Sequence, residues 1–136
     1  MRGFSIIELL VVVAIIGILA AVGITAYTGY IENTKKTSAL NNLKSIYAAQ
    51  EEYKADSGGY YFTGTEDTCS VDKSSAINEE IFDNTKVLDE SDKKDYKYCI
   101  AKISDSSYKA YAISKNDEKK FTIDEKNNTC DTGSCK

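Results

Sequence analysis

The chain has 136 residues, room for one domain, and carries a formal net charge of −4 with no histidine, no proline and four cysteines. An acidic balance argues against a generic nucleic-acid binder, which presents a basic face. Without histidine the commonest metal ligand and proton shuttle is missing. No Ser/His/Asp, Cys/His, paired-carboxylate or glycine-rich phosphate constellation is present. These absences point away from an enzyme and predict no cofactor and no metal.

The negative mean hydropathy hides an asymmetry. From Phe4 to Thr28 the only charged residue is Glu8, and the next charge is Glu32. That block is long enough to cross a bilayer as a helix, which takes about 20 apolar residues. A secretory h-region is shorter and carries no acid. A core helix so apolar on every face would need a far larger domain around it. A plain signal-anchor fits the length, but a carboxylate inside hydrocarbon costs a few kcal/mol, so such a residue is a functional candidate. Arg2 on one flank is opposed by Lys35 and Lys36 on the other, so charge bias does not set the orientation.

The run Gly3-Phe4-Ser5-Ile6-Ile7-Glu8-Leu9-Leu10, continuing VVVAIIGILAAVG, resembles the class III signal of bacterial type IV prepilins and the related type II secretion pseudopilins. The likeness runs without a gap from Gly3 to about Tyr30 and then becomes one of architecture. It implies a leader at 1–3, cut between Gly3 and Phe4 by a membrane-embedded prepilin peptidase that then methylates the Phe4 amine. It implies storage in the inner membrane with the head outside, followed by polymerisation into a helical homo-oligomer by a pilus assembly machine. The filament would serve adhesion, twitching motility or DNA uptake, although the charge gives no indication that DNA is a partner. Glu8, one helical turn from the cationic chain start, would face the Phe4 amine of a neighbouring subunit. The leader Met1-Arg2-Gly3 is short, with one basic residue. Many relatives carry proline where this chain has Thr25, leaving Gly17, Gly23 and Gly29 as weak points of the helix, with any melting on assembly centred on Gly17 to Gly23. The calcium-loop pattern of a major pseudopilin is not found.

Beyond Tyr30 the apolar residues Leu40, Leu43, Tyr47 and Tyr53 keep helical spacing, and Asp56-Ser57-Gly58-Gly59 ends the pattern. The expectation is a long helix over 4–56, apolar over 4–30 and amphipathic over 31–56, with the stretch from Phe4 to Ala55 about 78 Å in length at 1.5 Å per residue. The Gly58-Gly59-Tyr60-Tyr61 run resembles the segment that closes this helix in many pilins. Residues 57–136 form the head. From Phe62 to Asp95 the chain reads as a polar loop with about one helical turn. Three strands follow, Tyr96–Ile103, Tyr108–Ser114 and Lys119–Asp124, rich in Tyr and Ile and joined by short polar links that favour an antiparallel meander. The fold class is α+β: a long N-terminal helix whose second half packs on a small antiparallel sheet of about three or four strands.

Cys69, Cys99, Cys130 and Cys135 all lie outside the apolar block, which fits disulfides in an oxidising compartment. The preferred pairing is Cys69–Cys99 with Cys130–Cys135, since Gly133 can bend the tail into a small loop. Cys99–Cys130 with Cys69–Cys135 stays open. The spacing lacks the paired CxxC elements of a zinc site. Asn127-Asn128-Thr129 matches the N-glycosylation triplet, which chance supplies often. The ten tyrosines, Tyr27 and Tyr30 among them beside Phe4, read as ordinary core and interfacial side chains.

Overall fold

The computed structural model describes residues 3–116, 119–131 and 134–135, with side chains described up to residue 131. The chain divides into two compact units, Met1–Lys36 and Thr37–Lys136. One helix, α1, runs Ile6–Ser57. Within the first unit its residues up to Tyr30 are mostly Ile, Leu, Val and Ala, interrupted by Glu8, three glycines and a few hydroxyl side chains, and the polar run 32–36 follows. None of the described residues of that unit is buried. A helix suits such a sequence because it satisfies every mid-chain N–H and C=O internally, the condition for a segment in apolar surroundings.

In the second unit α1 gains a tertiary face. Ala39, Leu43, Ile46, Ala49 and Gln50 are buried, steps of four and three residues ending in the adjacent Ala49 and Gln50, which keep one stripe inward. Leu40 and Tyr47 are only half-buried, so the stripe is centred one residue away from the Leu40/Leu43/Tyr47 line the sequence suggests. Small Ala39 and polar Gln50 take places that an apolar count overlooks. Gly58 ends the helix at φ 82°, a left-handed conformation that glycine adopts without strain, and its N–H bonds to the Lys54 carbonyl at 2.9 Å.

The sheet is antiparallel in the order β1-β2-β3-β4-β5. Its strands are β1 Tyr96–Ser104, β2 Ser107–Ser114, β3 Lys120–Asp124, β4 Thr129–Asp131 and β5 Ser134–Cys135. The three expected strands are present within a residue at each end. The tail, expected as a loop, instead adds two short strands. One face of the sheet sends Tyr98, Ile100, Tyr108, Ala110, Ala112, Phe121 and Ile123 into a core with Leu43 and Ile46. Each large apolar side chain buried here contributes about 1.5–3 kcal/mol. The small Ala110 and Ala112 let the helix approach. Asn42 ties helix to sheet by donating to the Tyr98 hydroxyl at 2.9 Å, and burial pushes that phenol up to about 12.

Residues 60–95 are more ordered than a polar loop. They hold a 3-10 turn, Glu66–Thr68, and a two-turn helix α2, Ser74–Ile81, where the sequence suggested about one turn. Three polar side chains organise the region. The buried Gln50 carboxamide donates to the Tyr61 carbonyl at 2.7 Å and accepts from the Tyr61 N–H at 2.9 Å. Asn78 on α2 does the same for Leu88, at 2.9 and 3.0 Å. Asp72 accepts from the Tyr98 N–H and the Ser74 hydroxyl, and pairs with Lys94 at 2.9 Å.

The same segment closes the outer edge of β1. Thr63 bonds to both backbone groups of Ile100, the Lys102 N–H donates to the Gly64 carbonyl, and the Lys73 N–H donates to that of Tyr98. An open edge would be a template for unwanted strand pairing. The Cys69–Cys99 disulfide, with a Cα–Cα distance of 5.6 Å, fastens the segment over the second face of the sheet, where Ala101 and Ile113 are buried.

Candidate assembly site

Gly3, Phe4 and Ser5 precede the first helical residue and are not helical, so α1 starts at Ile6 rather than at Phe4. The cause is a cap. The Ser5 carbonyl accepts the first intrahelical bond from the Leu9 N–H at 3.2 Å, which makes Ser5 the N-cap residue. Glu8 stands three residues on, and its carboxylate Oε2 accepts the Ser5 N–H at 2.9 Å. This is one arm of the capping box that an S-x-x-E sequence encodes. It also places a negative charge beside the positive end of the helix dipole. Sequence reasoning selected Glu8 and missed Ser5, although Ser5-Ile6-Ile7-Glu8 carries the signal.

The bond between Gly3 and Phe4 therefore lies in non-helical backbone, the form in which a peptide bond can enter a protease site. Phe4 is 83% exposed, and the apolar side chains from Ile6 to Ile24 are exposed around it. Gly17, Gly23 and Gly29 sit inside the helix, and a Cβ built on each meets nothing within 4 Å. Packing within this chain does not require glycine at those positions. Arg2 lies outside the described residues.

Of the predicted disulfides, Cys69–Cys99 is present. Cys130 is disulfide-bonded and its backbone pairs with that of Cys135 across β4 and β5. The Cys135 side chain lies outside the described residues, and with it the second predicted bridge. No group of three or more His, Cys, Asp or Glu that could hold a metal ion occurs among the described residues.

Residues 1–24 match the family described as the prokaryotic N-terminal methylation motif. Over 59 residues the chain is 44% identical to the type IV major pilin protein PilA of Myxococcus xanthus, a match covering 43% of this chain and 27% of that protein. It is 42% identical over 57 residues to the fimbrial protein EcpC of Eikenella corrodens, covering 42% of this chain and 37% of that one. It is also 41% identical over 58 residues to the type II secretion system core protein G of Pseudomonas aeruginosa, covering 43% and 41%. In each case the match spans less than half the relative's length. The motif, these relatives and the long helix packed on an antiparallel sheet support a type IV pilin or pseudopilin.

Proposed function

We propose that this chain is a structural subunit of a type IV pilus, held in the inner membrane by its apolar helix and polymerised into an extracellular filament. The subunit performs no chemistry itself. Prepilin peptidase cuts between Gly3 and Phe4 and methylates the new amine. The observation that carries this reading is an apolar helical stretch, exposed from Ile6 to Tyr30, whose single charge, Glu8, is fixed at the helix start.

In the lone chain the Ser5 N–H partly satisfies the Glu8 carboxylate. When apolar helices bundle, that carboxylate loses its remaining water and the Phe4 amine of a neighbour supplies the missing charge. At 4 Å and an effective dielectric near 20 the attraction is about 4 kcal/mol. Desolvation consumes much of it, so the pair selects the axial offset between subunits more than it adds stability. Gly17 and Gly23 give the helix its pliant section, since each weakens a helix by about 1 kcal/mol relative to alanine. The Cys130–Cys135 bridge closes the tail.

The test replaces Glu8 in cells and counts filaments by electron microscopy while following membrane insertion. Glu8→Gln keeps insertion and reduces filaments; Glu8→Lys also inserts but yields none. Equal assembly of both variants would remove the register argument, and unchanged filaments with Glu8→Leu would remove the filament-core role. A pseudopilin of a type II secretion system is the second reading, favoured by the match to a core protein G. Deletion of the gene separates the two: loss of surface fibres supports the pilus, and loss of protein export with fibres intact supports the pseudopilin. A membrane-anchored binding module that never polymerises would leave both phenotypes untouched.

A further inference from the structure

We propose that Asn127, at the tip of the β3–β4 hairpin, is an acceptor for an N-linked oligosaccharide. The proposal rests on the reading above only in placing the head outside the cytoplasm. Strands β3 and β4 are joined by Glu125, Lys126, Asn127 and Asn128. The turn is held by Asp124, whose carboxylate accepts the Lys126 N–H at 3.0 Å, the Asn128 N–H at 2.8 Å and the Asn128 carboxamide at 2.9 Å. The two asparagines are thereby divided in role. Asn128 spends its side chain inside the turn, and two residues beyond it stands Cys130, which is disulfide-bonded and has no hydroxyl. Asn127 gives its backbone N–H to the Asp124 carbonyl at 3.0 Å, at φ 61°. Its own carboxamide is exposed and makes no hydrogen bond among the described residues. Thr129 stands two residues beyond Asn127, completing the N-x-[ST] acceptor triplet.

The folded hairpin shows where a glycan has room, while the transfer itself needs a looser chain. The Thr129 backbone is paired with Ile123 across β3 and β4, so the triplet can bend into an enzyme site most readily before β4 closes. β4 is three residues long and pairs with the two-residue β5 that follows it, so it is still open early in translocation, before Cys130 is oxidised. At that stage Glu125, two residues before the acceptor, offers a carboxylate as an anchor for a basic group of the transferase. The donor is a sugar activated as a polyprenyl diphosphate. The Asn127 Nδ2 forms a bond to the anomeric carbon, the carbon–oxygen bond to the diphosphate breaks, one amide proton passes to a carboxylate of the transferase, and the polyprenyl diphosphate leaves.

Mass spectrometry of the chain purified from its own cells tests this. After reduction, trypsin releases Asn127–Lys136, and that peptide is expected to carry the mass of a whole glycan, fragmenting to place it on Asn127. The same digest reports the N-terminus, so the two readings fail separately. A processed, methylated Phe4 with a bare Asn127 overturns the glycan and leaves the filament reading standing; a glycosylated Asn127 on an unprocessed chain does the reverse. Asn127→Asp, which suits the same left-handed turn, and Thr129→Ala are each expected to abolish the added mass, whereas Thr129→Ser retains it. Retention of the glycan by Thr129→Ala would overturn the assignment.

Discussion

The two units of this chain use one helix in opposite ways. Up to Lys36 every described residue lies outside any core, and the apolar side chains from Phe4 to Ile24 face whatever surrounds the chain. From Thr37 onward the same helix presents one stripe, Ala39, Leu43, Ile46, Ala49 and Gln50, to a core the chain builds itself. The first unit builds no core of its own among the described residues; the second has its own sheet, clamps and disulfide. A change in the first unit should therefore alter assembly and leave head unfolding alone, while a change in the second should do the converse.

The largest effect that sharpens this contrast comes from the covalent staple. Cys69–Cys99 closes a loop of 30 residues, and a loop of that length gives about 3–4 kcal/mol by the chain-entropy account. The paired variant Cys69→Ala with Cys99→Ala should lower head stability by that amount in denaturant titrations followed by tyrosine circular dichroism. Glu8→Lys measured alongside should not move the midpoint. If it did, the two units would not be independent.

Gln50→Leu tests how much the head depends on polar clamps. Leucine fills a similar volume and prefers the core, so a purely apolar account expects no loss. Removing the carboxamide leaves the Tyr61 N–H and carbonyl without their partners, at about 1–3 kcal/mol for a buried group. A loss in that range, with faster amide exchange at Tyr61, is the expected result. Unchanged stability would mean that hydrophobic packing alone carries the junction between helix and loop.

That clamp also explains what could and could not be read from the sequence. The N-terminal motif was legible as a family resemblance, carried by one acid in a long apolar run with glycine and an aromatic before it, and residues 1–24 match the N-terminal methylation motif. The three longer strands were legible because Tyr, Ile and Phe cluster between short polar turns. Region 60–95 was not, because Gln50, Asp72 and Asn78 act there through hydrogen bonds to backbone groups far along the chain, and a polar residue that is buried looks in sequence like one that is solvated. Cys69–Cys99 was the preferred pairing, with Cys99–Cys130 left open, and the segment lying along β1 brings Cys69 and Cys99 together. β4 and β5 are too short to show alternation, and α1 starts at Ile6 and not at Phe4 because Ser5, part of the N-terminal motif, is also a cap.

The smallest expected effect concerns Asp72, which joins β1, α2 and Lys94. Partial burial acts to raise its carboxyl, but hydrogen bonds from the Ser74 hydroxyl, Lys94 and the Tyr98 and Ser74 N–H groups outweigh it and hold the pKa below the ordinary value. A folded-state pKa below the unfolded value, about 3.9 for aspartate, means that folding favours the charged form. Its contribution is complete above that pH and fades as pH falls through it toward the folded value. Asp92, Lys97 and Lys115 line the same depression, and Glu66, Asp89, Asp105 and Asp124 are also lowered, so stability against pH in the native chain mixes several groups. The difference between the native chain and Asp72→Asn isolates one of them, since the other carboxylates titrate in both. That difference should be about 1 kcal/mol at neutral pH, the scale of hydrogen bonds to a charged group less what asparagine retains. It should shrink toward zero as pH drops below about 4, where protonated Asp72 resembles its amide. A difference that stayed constant down to acid pH would show that shape, and not charge, is what Asp72 supplies at the edge of β1.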